Sequence, residues 1–394
     1  MHWLLPEHVA DALPAETARI EHLRGLILQR LQRCGYEQVI PPLIEYVESL
    51  FTGAGKDLDL RTFKLVDQLS GRTLGLRADM TPQTARIDAH LLNREGVTRL
   101  SYCGNVLHTL PASSNATRDP LQIGAELYGY SGLSADLEIL RLLKSVLQIA
   151  ELAHYRIDVG HAGVFRALAR TAGLDTSAEA ELLQYLQAKD APALLSATAA
   201  LPKDHREAIA ALSELYGDPK TVLAEARTRL PAGAELDAAL QVLDCLLSQT
   251  GDLPISLDLA DLRGYHYHNG IVFAVYLPGY PSAIAQGGRY DNVGYEFGRA
   301  RPATGFSLDL KELARLSPAR PQSTLVILSP SSQNNPELAT LIEHLRSQGE
   351  VVIERLPDEQ GPMPDICSRG IIQRHGQWVV ESTEYESTNS YESR

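Results

Sequence analysis

Apolar and polar positions alternate with clear periods near the start of the chain. Between residues 15 and 33, apolar side chains recur at three- and four-residue steps, which predicts an amphipathic helix. Gly35 follows and is expected to end this helix, since glycine readily adopts the left-handed conformation found at helix ends. Residues 36–44 then predict a short extended segment, and the pair Pro41-Pro42 favours the edge of a sheet.

A second helix is predicted after a short strand at residues 73–76. Thr81 is well placed as its N-cap, because a threonine hydroxyl can accept from the free backbone N–H groups of the first turn. Pro82 would then be the first helical residue, where proline is tolerated, and the helix would continue over residues 83–92.

A hairpin is predicted near residue 270. Residues 255–260 alternate between apolar and polar side chains, and residues 271–276 are β-branched and aromatic, so both stretches predict strands. Asn269-Gly270 between them is typical of a tight hairpin turn, because both residue types accept positive φ. The hairpin would present five polar or aromatic side chains near its tip: Arg263, Tyr265, His266, Tyr267 and His268.

Polar residues also mark a strand at residues 122–128, which would return beside a strand at residues 99–107. Gln122, Gly124 and Glu126 share one face of it, since side chains alternate along a strand. An amide and a carboxyl with a glycine between them leave room for a small polar ligand. The same pattern also fits a solvated sheet face.

The order of these elements predicts an α+β protein with several parts. Between the strand patterns lies a long stretch with an almost wholly helical pattern, which we interpret as an insertion. The predicted division is a core from residues 1–160 and 254–316, a helical insertion at 161–253, a small α/β domain at 317–381 and a disordered tail at 382–394.

Charge narrows the range of partners. The 394-residue chain has a formal net charge of −13. Proteins that bind nucleic acids usually carry a basic face, because neutralising phosphates supplies most of the affinity. We therefore expect no nucleic-acid partner, and no membrane partner either, since no apolar run is long enough to span a bilayer.

The cysteines and histidines do not form a metal-site pattern. Four cysteines lie far apart with no Cys-x-x-Cys pair: Cys34, Cys103, Cys245 and Cys367. This spacing argues against zinc and disulfides and suits the reducing cytoplasm. His266 and His268 would share a strand face, but no carboxylate or cysteine accompanies them at ligand spacing. We expect no metal and no cofactor.

These pieces, in this order, resemble class II aminoacyl-tRNA synthetases, and histidyl-tRNA synthetase in particular, over about residues 5–313. The motifs that carry the resemblance are GYEQVIPP at residues 35–42, LRADMT at 76–81, Gln122-x-x-x-Glu126, the run from Arg263 to Gly270, and GGRYD at 287–291. The resemblance implies a class II antiparallel sheet flanked by helices and a homodimer formed through residues 35–45.

The resemblance also assigns a histidine-binding role to eight residues: Asp79, Thr81, Gln122, Glu126, Arg263, Tyr267, His268 and Tyr290. Asp79 would hold the α-ammonium group, Gln122 and Glu126 the imidazole, and Arg263 the carboxylate. Two positions depart from the family pattern. His268 stands where the synthetase usually has tyrosine, and Asp79 is one methylene shorter than the family glutamate.

The ATP-binding positions are degenerate. Adenylation needs cations on the triphosphate, because negative charge accumulates there in the transition state. His108 stands at the place of an expected arginine, Leu110 at that of a glutamate, and Glu312 at that of a second arginine. A neutral imidazole replaces a fixed guanidinium poorly, and a carboxylate repels phosphate. We expect that ATP activation is lost.

A histidyl-tRNA-synthetase-like chain without adenylation and without a basic anticodon domain resembles the regulatory subunits of ATP phosphoribosyltransferase. This resemblance implies no catalysis of its own, a short-form catalytic subunit as partner, a hetero-octamer, and feedback inhibition by histidine at the first step of histidine biosynthesis. Two alternatives stay open at this point: an active histidyl-tRNA synthetase and a stand-alone histidine-binding paralogue.

Overall fold

The computed structural model describes residues 3–51, 56–113, 116–265, 267–319, 326–359, 361–362 and 366–382. It separates into two compact units, residues 1–319 and residues 320–394. His266 lies outside the described residues, as does the predicted tail apart from Ser382, which ends a strand. The domain boundaries predicted above stay a prediction.

The strands of the first unit form a nine-stranded and a three-stranded sheet. In chain order they are β1 (Glu37–Gln38), β2 (Ile44–Tyr46), β3 (Lys64–Val66), β4 (Thr73–Leu76), β5 (Thr98–Asn105), β6 (Leu121–Tyr128), β7 (Arg156–His161), β8 (Tyr216–Gly217), β9 (Ile255–Asp258), β10 (Ile271–Tyr276), β11 (Ala285–Arg289) and β12 (Ala303–Asp309). The large sheet has the order β1-β5-β6-β12-β11-β10-β7-β9-β8, and the small one β2-β4-β3. Within the large sheet, β1 is parallel to β5 and β7 to β9, and the other pairs are antiparallel.

The helices of this unit are α1 (Pro14–Arg33), α2 (Val47–Phe51), α3 (Lys56–Arg61), α4 (Thr81–Arg86), α5 (Leu133–Ile149), α6 (Ala162–Thr171), α7 (Thr176–Gln187), α8 (Ala191–Ala197), α9 (Lys203–Leu212), α10 (Pro219–Arg229), α11 (Ala234–Leu247) and α12 (Leu310–Leu316). Helices α1, α5 and α12 pack together, and α5 and α12 cover β6 and β12. Helices α6 to α11 all lie in the connection from β7 to β9.

The predicted first helix is confirmed. Its apolar stripe is buried in the core at Ile20, Leu23, Ile27 and Leu31. Gly35 follows with φ of +84°, as expected of a residue that ends a helix.

The predicted hairpin is wrong. Strands β9 and β10 do not pair, because β7 lies between them and bonds to both. Asn269 does not take the positive φ of a hairpin turn. Its side-chain oxygen instead accepts from the backbone N–H of Asp291 (3.1 Å), which fixes the segment against the end of β11. Tyr265, placed at the tip by the sequence, is buried.

The predicted N-cap is also wrong by one residue. Thr81 is the first residue of α4, and Met80 is the cap. The Oδ1 atom of Asp79 accepts from both the backbone N–H (3.0 Å) and the hydroxyl (3.1 Å) of Thr81. After Arg86 the helix widens into a π-helix over Ile87–Leu92. The aspartate therefore takes over the backbone contact that the threonine was expected to make.

The second unit is a small α/β sheet. It contains β13 (Val326–Ser329), α13 (Pro336–Ser347), β14 (Val351–Glu354), β15 (Cys367–Arg374) and β16 (Gln377–Ser382), in the strand order β14-β13-β15-β16. Strand β13 is parallel to both neighbours, and β15 and β16 are antiparallel. In the described parts of both units, every helix is too short or too polar to cross a membrane.

Candidate functional site

A cavity of about 370 Å³ opens over the large sheet, and residues of β6, β10, β11 and β12 line it. The structure brings seven of the eight predicted histidine-site residues to its wall: Asp79, Thr81, Glu126, Arg263, Tyr267, His268 and Tyr290. Gln122 lines an adjoining cavity of about 500 Å³ and reaches the first through a hydrogen bond from Nε2 to Oδ1 of Asp79 (2.8 Å).

Glu126 is the most deeply buried polar group of the first cavity. Its Oε1 accepts from the hydroxyl of Tyr102 (2.9 Å), and its Oε2 accepts from the hydroxyl of Tyr290. Burial raises the pKa of Glu126 to about 8, because an ionised carboxylate loses its hydration there. The backbone of β12 passes so close that a Cβ at Gly305 would overlap Oε2. The carboxyl is therefore fixed in place and protonated near neutral pH.

Asp79 offers one oxygen to the cavity. Its Oδ1 accepts from the backbone and hydroxyl of Thr81 and from Nε2 of Gln122. The amide of Gln122 is oriented in turn, since its Oε1 accepts from the backbone N–H of Met80 (2.9 Å). No described residue bonds to Oδ2 of Asp79, which leaves that atom to accept from a cationic group of a ligand.

The aromatic wall is held by the GGRYD segment. Tyr267 packs on Tyr290 with ring centroids 4.9 Å apart, and His268 meets Tyr267 edge-on at 5.3 Å. Arg289 of this segment forms a buried ion pair with Asp136 (2.7 Å) and a further pair with Asp291 (3.2 Å). The arginine and aspartate of the motif thus fix the backbone that places Tyr290, and do not line the cavity.

Arg263 stands at the outer end, where it lines both cavities. Its Nε lies 3.0 Å from Oδ1 of Asp261, and its guanidinium lies over the ring of Tyr276 at 5.2 Å. The side chain is about half exposed, so its charge faces the opening. A carboxylate that enters the cavity would meet this guanidinium first.

The second cavity contains the positions where ATP groups would be expected. His108 is buried, and Nε2 donates to the carbonyl of Ala78 (3.0 Å). Burial lowers the pKa of His108 to about 4, so the ring is neutral. Glu312 lines this cavity and pairs with Arg315 (2.6 Å), whereas Leu110 is 72% exposed and lies off the cavity wall.

Sequence reasoning missed Arg61. Its Nη2 lies 3.3 Å from Nδ1 of His108, and its side chain lines both cavities. A guanidinium therefore stands beside the position where the family arginine is absent, but α3 supplies it and not the segment that follows β5. Nothing in the local pattern of α3 distinguishes this residue from a surface arginine.

Two further residues were missed because they act through backbone or register. Tyr102 reaches Glu126 because β5 and β6 pair with Tyr102 opposite Gly124, a register that the separate strand patterns do not contain. Arg166 of α6 donates from Nη2 to the carbonyls of Tyr265 (3.2 Å) and His268 (3.0 Å). Helix α6 thereby holds the segment that carries the aromatic wall.

Comparison with known proteins places this site in a family. A family model described as histidyl-tRNA synthetase matches residues 8–313, and one described as the ATP phosphoribosyltransferase subunit HisZ C-terminal domain matches residues 324–381. Relatives named ATP phosphoribosyltransferase regulatory subunit include one from Azoarcus sp., 55% identical over 98% of this chain and 100% of that protein. Another, from Burkholderia cenocepacia, is 55% identical over 96% of this chain and 99% of that protein.

Solved structures agree with this fold. A structure from Bacillus halodurans, titled an ATP phosphoribosyltransferase regulatory subunit/histidyl-tRNA synthetase, has a TM-score of 0.80 and 26% identity over 90% of this chain and 93% of that one. Histidyl-tRNA synthetase from Nostoc sp. has a TM-score of 0.75 at 18% identity, over 91% of this chain and 87% of that one, a likeness of fold alone.

The expected class II synthetase-like α+β fold is confirmed by these matches. The similarity to regulatory subunits extends over nearly the whole chain, the C-terminal unit included, and so does not favour an active synthetase or a stand-alone paralogue. The chain therefore belongs to the family of ATP phosphoribosyltransferase regulatory subunits and is a regulatory, non-catalytic protein.

Proposed function

We propose that this regulatory subunit binds free histidine in the cavity around Glu126. The observation that carries the proposal is the fixed, buried carboxyl of Glu126 at one end of a cavity that has the free Oδ2 of Asp79 on its wall and Arg263 at its opening. Histidine has three polar groups, an imidazole, an ammonium and a carboxylate. Each of them meets a complementary partner in this arrangement.

The proposed pose places the imidazole between Glu126 and His268, against the rings of Tyr267 and Tyr290. The α-ammonium group donates to Oδ2 of Asp79, which Thr81 and Gln122 orient. The carboxylate faces Arg263. The cavity volume of about 370 Å³ accommodates an amino acid, and its depth at Glu126 suits the side chain better than the charged end.

ATP is not expected to share the site. The second cavity contains the carboxyl groups of Asp309 and Glu312, and a triphosphate beside them would be repelled. Lys311 is engaged in an ion pair with Asp119 (2.8 Å). Arg61 and Arg263 also line this cavity, but Arg61 is in contact with His108 and Arg263 with Asp261. The regulatory role therefore rests on binding without turnover.

We further propose that the chain assembles with a short-form catalytic ATP phosphoribosyltransferase subunit in a cytoplasmic hetero-octamer. Histidine would bias the complex only as far as it binds one assembly state better than another. A homodimer through residues 35–45 would underlie this assembly, and Ile40, which is 82% exposed, together with Leu43 and Ile44 supplies its apolar surface.

The test of the histidine site is calorimetric titration of the whole chain, once with histidine and once with ATP. We expect heat of binding with histidine only. Asp79→Asn weakens a hydrogen bond to a charged ammonium group, and Glu126→Ala leaves a buried ring nitrogen without its partner. Each change should weaken histidine binding roughly 10- to 100-fold. Glu312→Gln, a change in the second cavity, is the matched control and should bind histidine normally.

Other outcomes have definite meanings. No heat with histidine would reject the proposal. Binding of both ligands together with histidine-dependent pyrophosphate exchange would reject the loss of ATP activation. Thermal unfolding of each variant without ligand separates loss of the site from loss of the fold.

A further inference from the structure

The side chain of His268 faces the cavity with an acceptor and no donor. Its Nδ1 lies 3.2 Å from the carbonyl oxygen of Arg289, and because a carbonyl only accepts, Nδ1 carries the proton. Burial lowers the pKa of His268 to about 4, so the ring is neutral at physiological pH. Nε2 therefore has a lone pair, and no described residue donates to it.

Glu126 faces the same cavity as the second group. Each of its oxygens already accepts from a tyrosine hydroxyl, those of Tyr102 and Tyr290. As a carboxylate it can only accept from a ligand, and as a carboxylic acid it can donate one proton. The proposed imidazole thus contacts two side chains. His268 can only accept a hydrogen bond, and Glu126 donates one only when it is protonated.

We propose that histidine binding by this chain is coupled to a single proton shared between the ligand ring and Glu126, because His268 can only accept. This inference rests on the proposed histidine site and adds a requirement to it. The complex must contain two N–H or O–H donors between the imidazole and its two partners. The site therefore selects a ring with N–H groups and works best in a limited range of pH.

The number of protons that the complex needs determines whether protons are released or taken up at low and at high pH. A neutral imidazole donates its one N–H to Nε2 of His268, and its remaining lone pair needs a proton from Glu126. Below the usual imidazole pKa of about 6.5 the free ligand already carries a second proton, so one proton must leave on binding. Above the pKa of Glu126, about 8, Glu126 must take up one proton, and the ligand's α-amino group, which loses its proton over a similar range, must be protonated again to donate to Asp79. Affinity should fall tenfold per pH unit below the lower limit and more steeply above the upper one.

The groups around Glu126 and His268 are an aspartate, four tyrosines, a threonine and a backbone carbonyl. Asp79 acts on both, and its negative charge favours protonation of Glu126. Burial raises the pKa of the four surrounding tyrosines well above the usual range: Tyr102 on β5, Tyr128 on β6, Tyr290 after β11 and Tyr267 before β10. Thr81 and the carbonyl of Arg289 are neutral, and Arg61 and Arg263 supply the basic side chains of the cavity wall.

The experiment is titration of the full chain with histidine at pH 5.5, 7.2 and 9.0, in pairs of buffers with different ionisation enthalpies. We expect release of about one proton at pH 5.5 and almost no exchange at pH 7.2. At pH 9.0 we expect uptake of about one proton at Glu126, in addition to the uptake at the ligand's α-amino group. In His268→Tyr the hydroxyl can donate to the ring, so ionised Glu126 can accept from it. This variant should take up about one proton fewer than the parent chain at pH 9.0 and should bind histidine about tenfold more tightly there.

His154→Tyr, at an exposed histidine distant in sequence, is the control and should behave like the parent chain. If His268→Tyr does not fold, His268→Gln offers a donor of similar reach and should show the same loss of uptake. Two results would overturn the proton coupling but leave the proposed histidine site standing. One is a histidine affinity that does not change from pH 5.5 to 9.0, and the other is equal proton uptake by the parent chain and the His268 variants. Absence of histidine binding at every pH would remove the site and the coupling together.

Discussion

Gly305 on β12 illustrates how one atom can decide the geometry of the cavity. It lies directly opposite Glu126 in the pairing of β12 with β6. The carboxyl fills the space where a Cβ would stand, so the glycine is required by a neighbouring side chain and not by its own backbone conformation. Such a requirement depends on the register of two strands more than 170 positions apart in sequence, and inspection of either strand alone does not reveal it.

Gly305→Ala should displace Glu126 and weaken histidine binding at least tenfold, with a loss of about 1–3 kcal/mol in the free energy of unfolding, the usual range for overpacking. Gly25→Ala is the matched control. Gly25 lies on the exposed side of α1 with open space around it, so alanine there should stabilise the fold by up to about 1 kcal/mol. Calorimetry and urea unfolding measure both effects. Normal histidine binding by Gly305→Ala would contradict the account of Glu126.

Among the helices and strands, the local sequence pattern was enough to predict an element whose structure depends on one stretch of the chain. The apolar stripe of α1 and the glycine after it gave the helix correctly, because both signals are local. The Asn269-Gly270 turn failed because β7, about a hundred residues earlier in sequence, competes for the same strand edges. The predicted site residues came from a resemblance of motifs, whereas Arg61 and Arg166, which have no motif, became visible only in the folded chain.

The segment that follows the edge strand β1 is the basis of the prediction for the proposed homodimer. Ile40 follows β1, and the segment after it is tied to the site region, since Nη1 of Arg77 donates to the carbonyl of Pro41 (2.5 Å). Ile40→Asp should give monomers in analytical ultracentrifugation, because pairing two copies would bury two like charges. Leu195→Asp, on exposed α8, is the control and should leave the dimer intact. A dimeric Ile40→Asp chain would refute the proposed interface.

At the scale of the whole molecule, buried titratable groups predict how stability depends on pH. Burial lowers the pKa of His108, His161 and His268 to about 4. The unfolded chain binds protons at these rings below about pH 6.5 but the folded chain does not, so their contribution is complete above pH 6.5 and is lost as pH falls through 4. Each contributes at most roughly 3 kcal/mol.

The contribution of Glu126 to stability depends on pH in the opposite direction. Its pKa is raised to about 8, so its contribution is present at low pH and is lost as pH rises towards 8. Because three buried histidines outweigh this one carboxyl, urea unfolding should show a net loss of stability between pH 6.5 and 4. His161 caps α6 by accepting from the backbone N–H of Gly163 (3.0 Å), and His161→Asn keeps a capping oxygen without the titration.

Between pH 6.5 and 4, the acid slope of His161→Asn should be smaller than that of the parent chain by the equivalent of about one proton, since one titrating ring is removed. His154→Asn, at an exposed histidine, should leave the slope unchanged. Equal slopes for both variants would show that burial of His161 does not govern acid unfolding.

The parallel pairing of β7 with β9 limits how the connection between these two strands can change among related proteins. Ile157 lies opposite Ile255, so the chain leaves β7 at His161 and must travel back about 13 Å, four residues along the strand, before β9 can begin. Parallel neighbours need such a return path. Excising the six helices between them and joining the cut ends directly would break the sheet beside the proposed histidine site, whereas a different return path of sufficient length would preserve the pairing. Related chains can therefore differ in the structure of this connection, but each of them must keep a connection long enough to lead from the end of β7 to the start of β9.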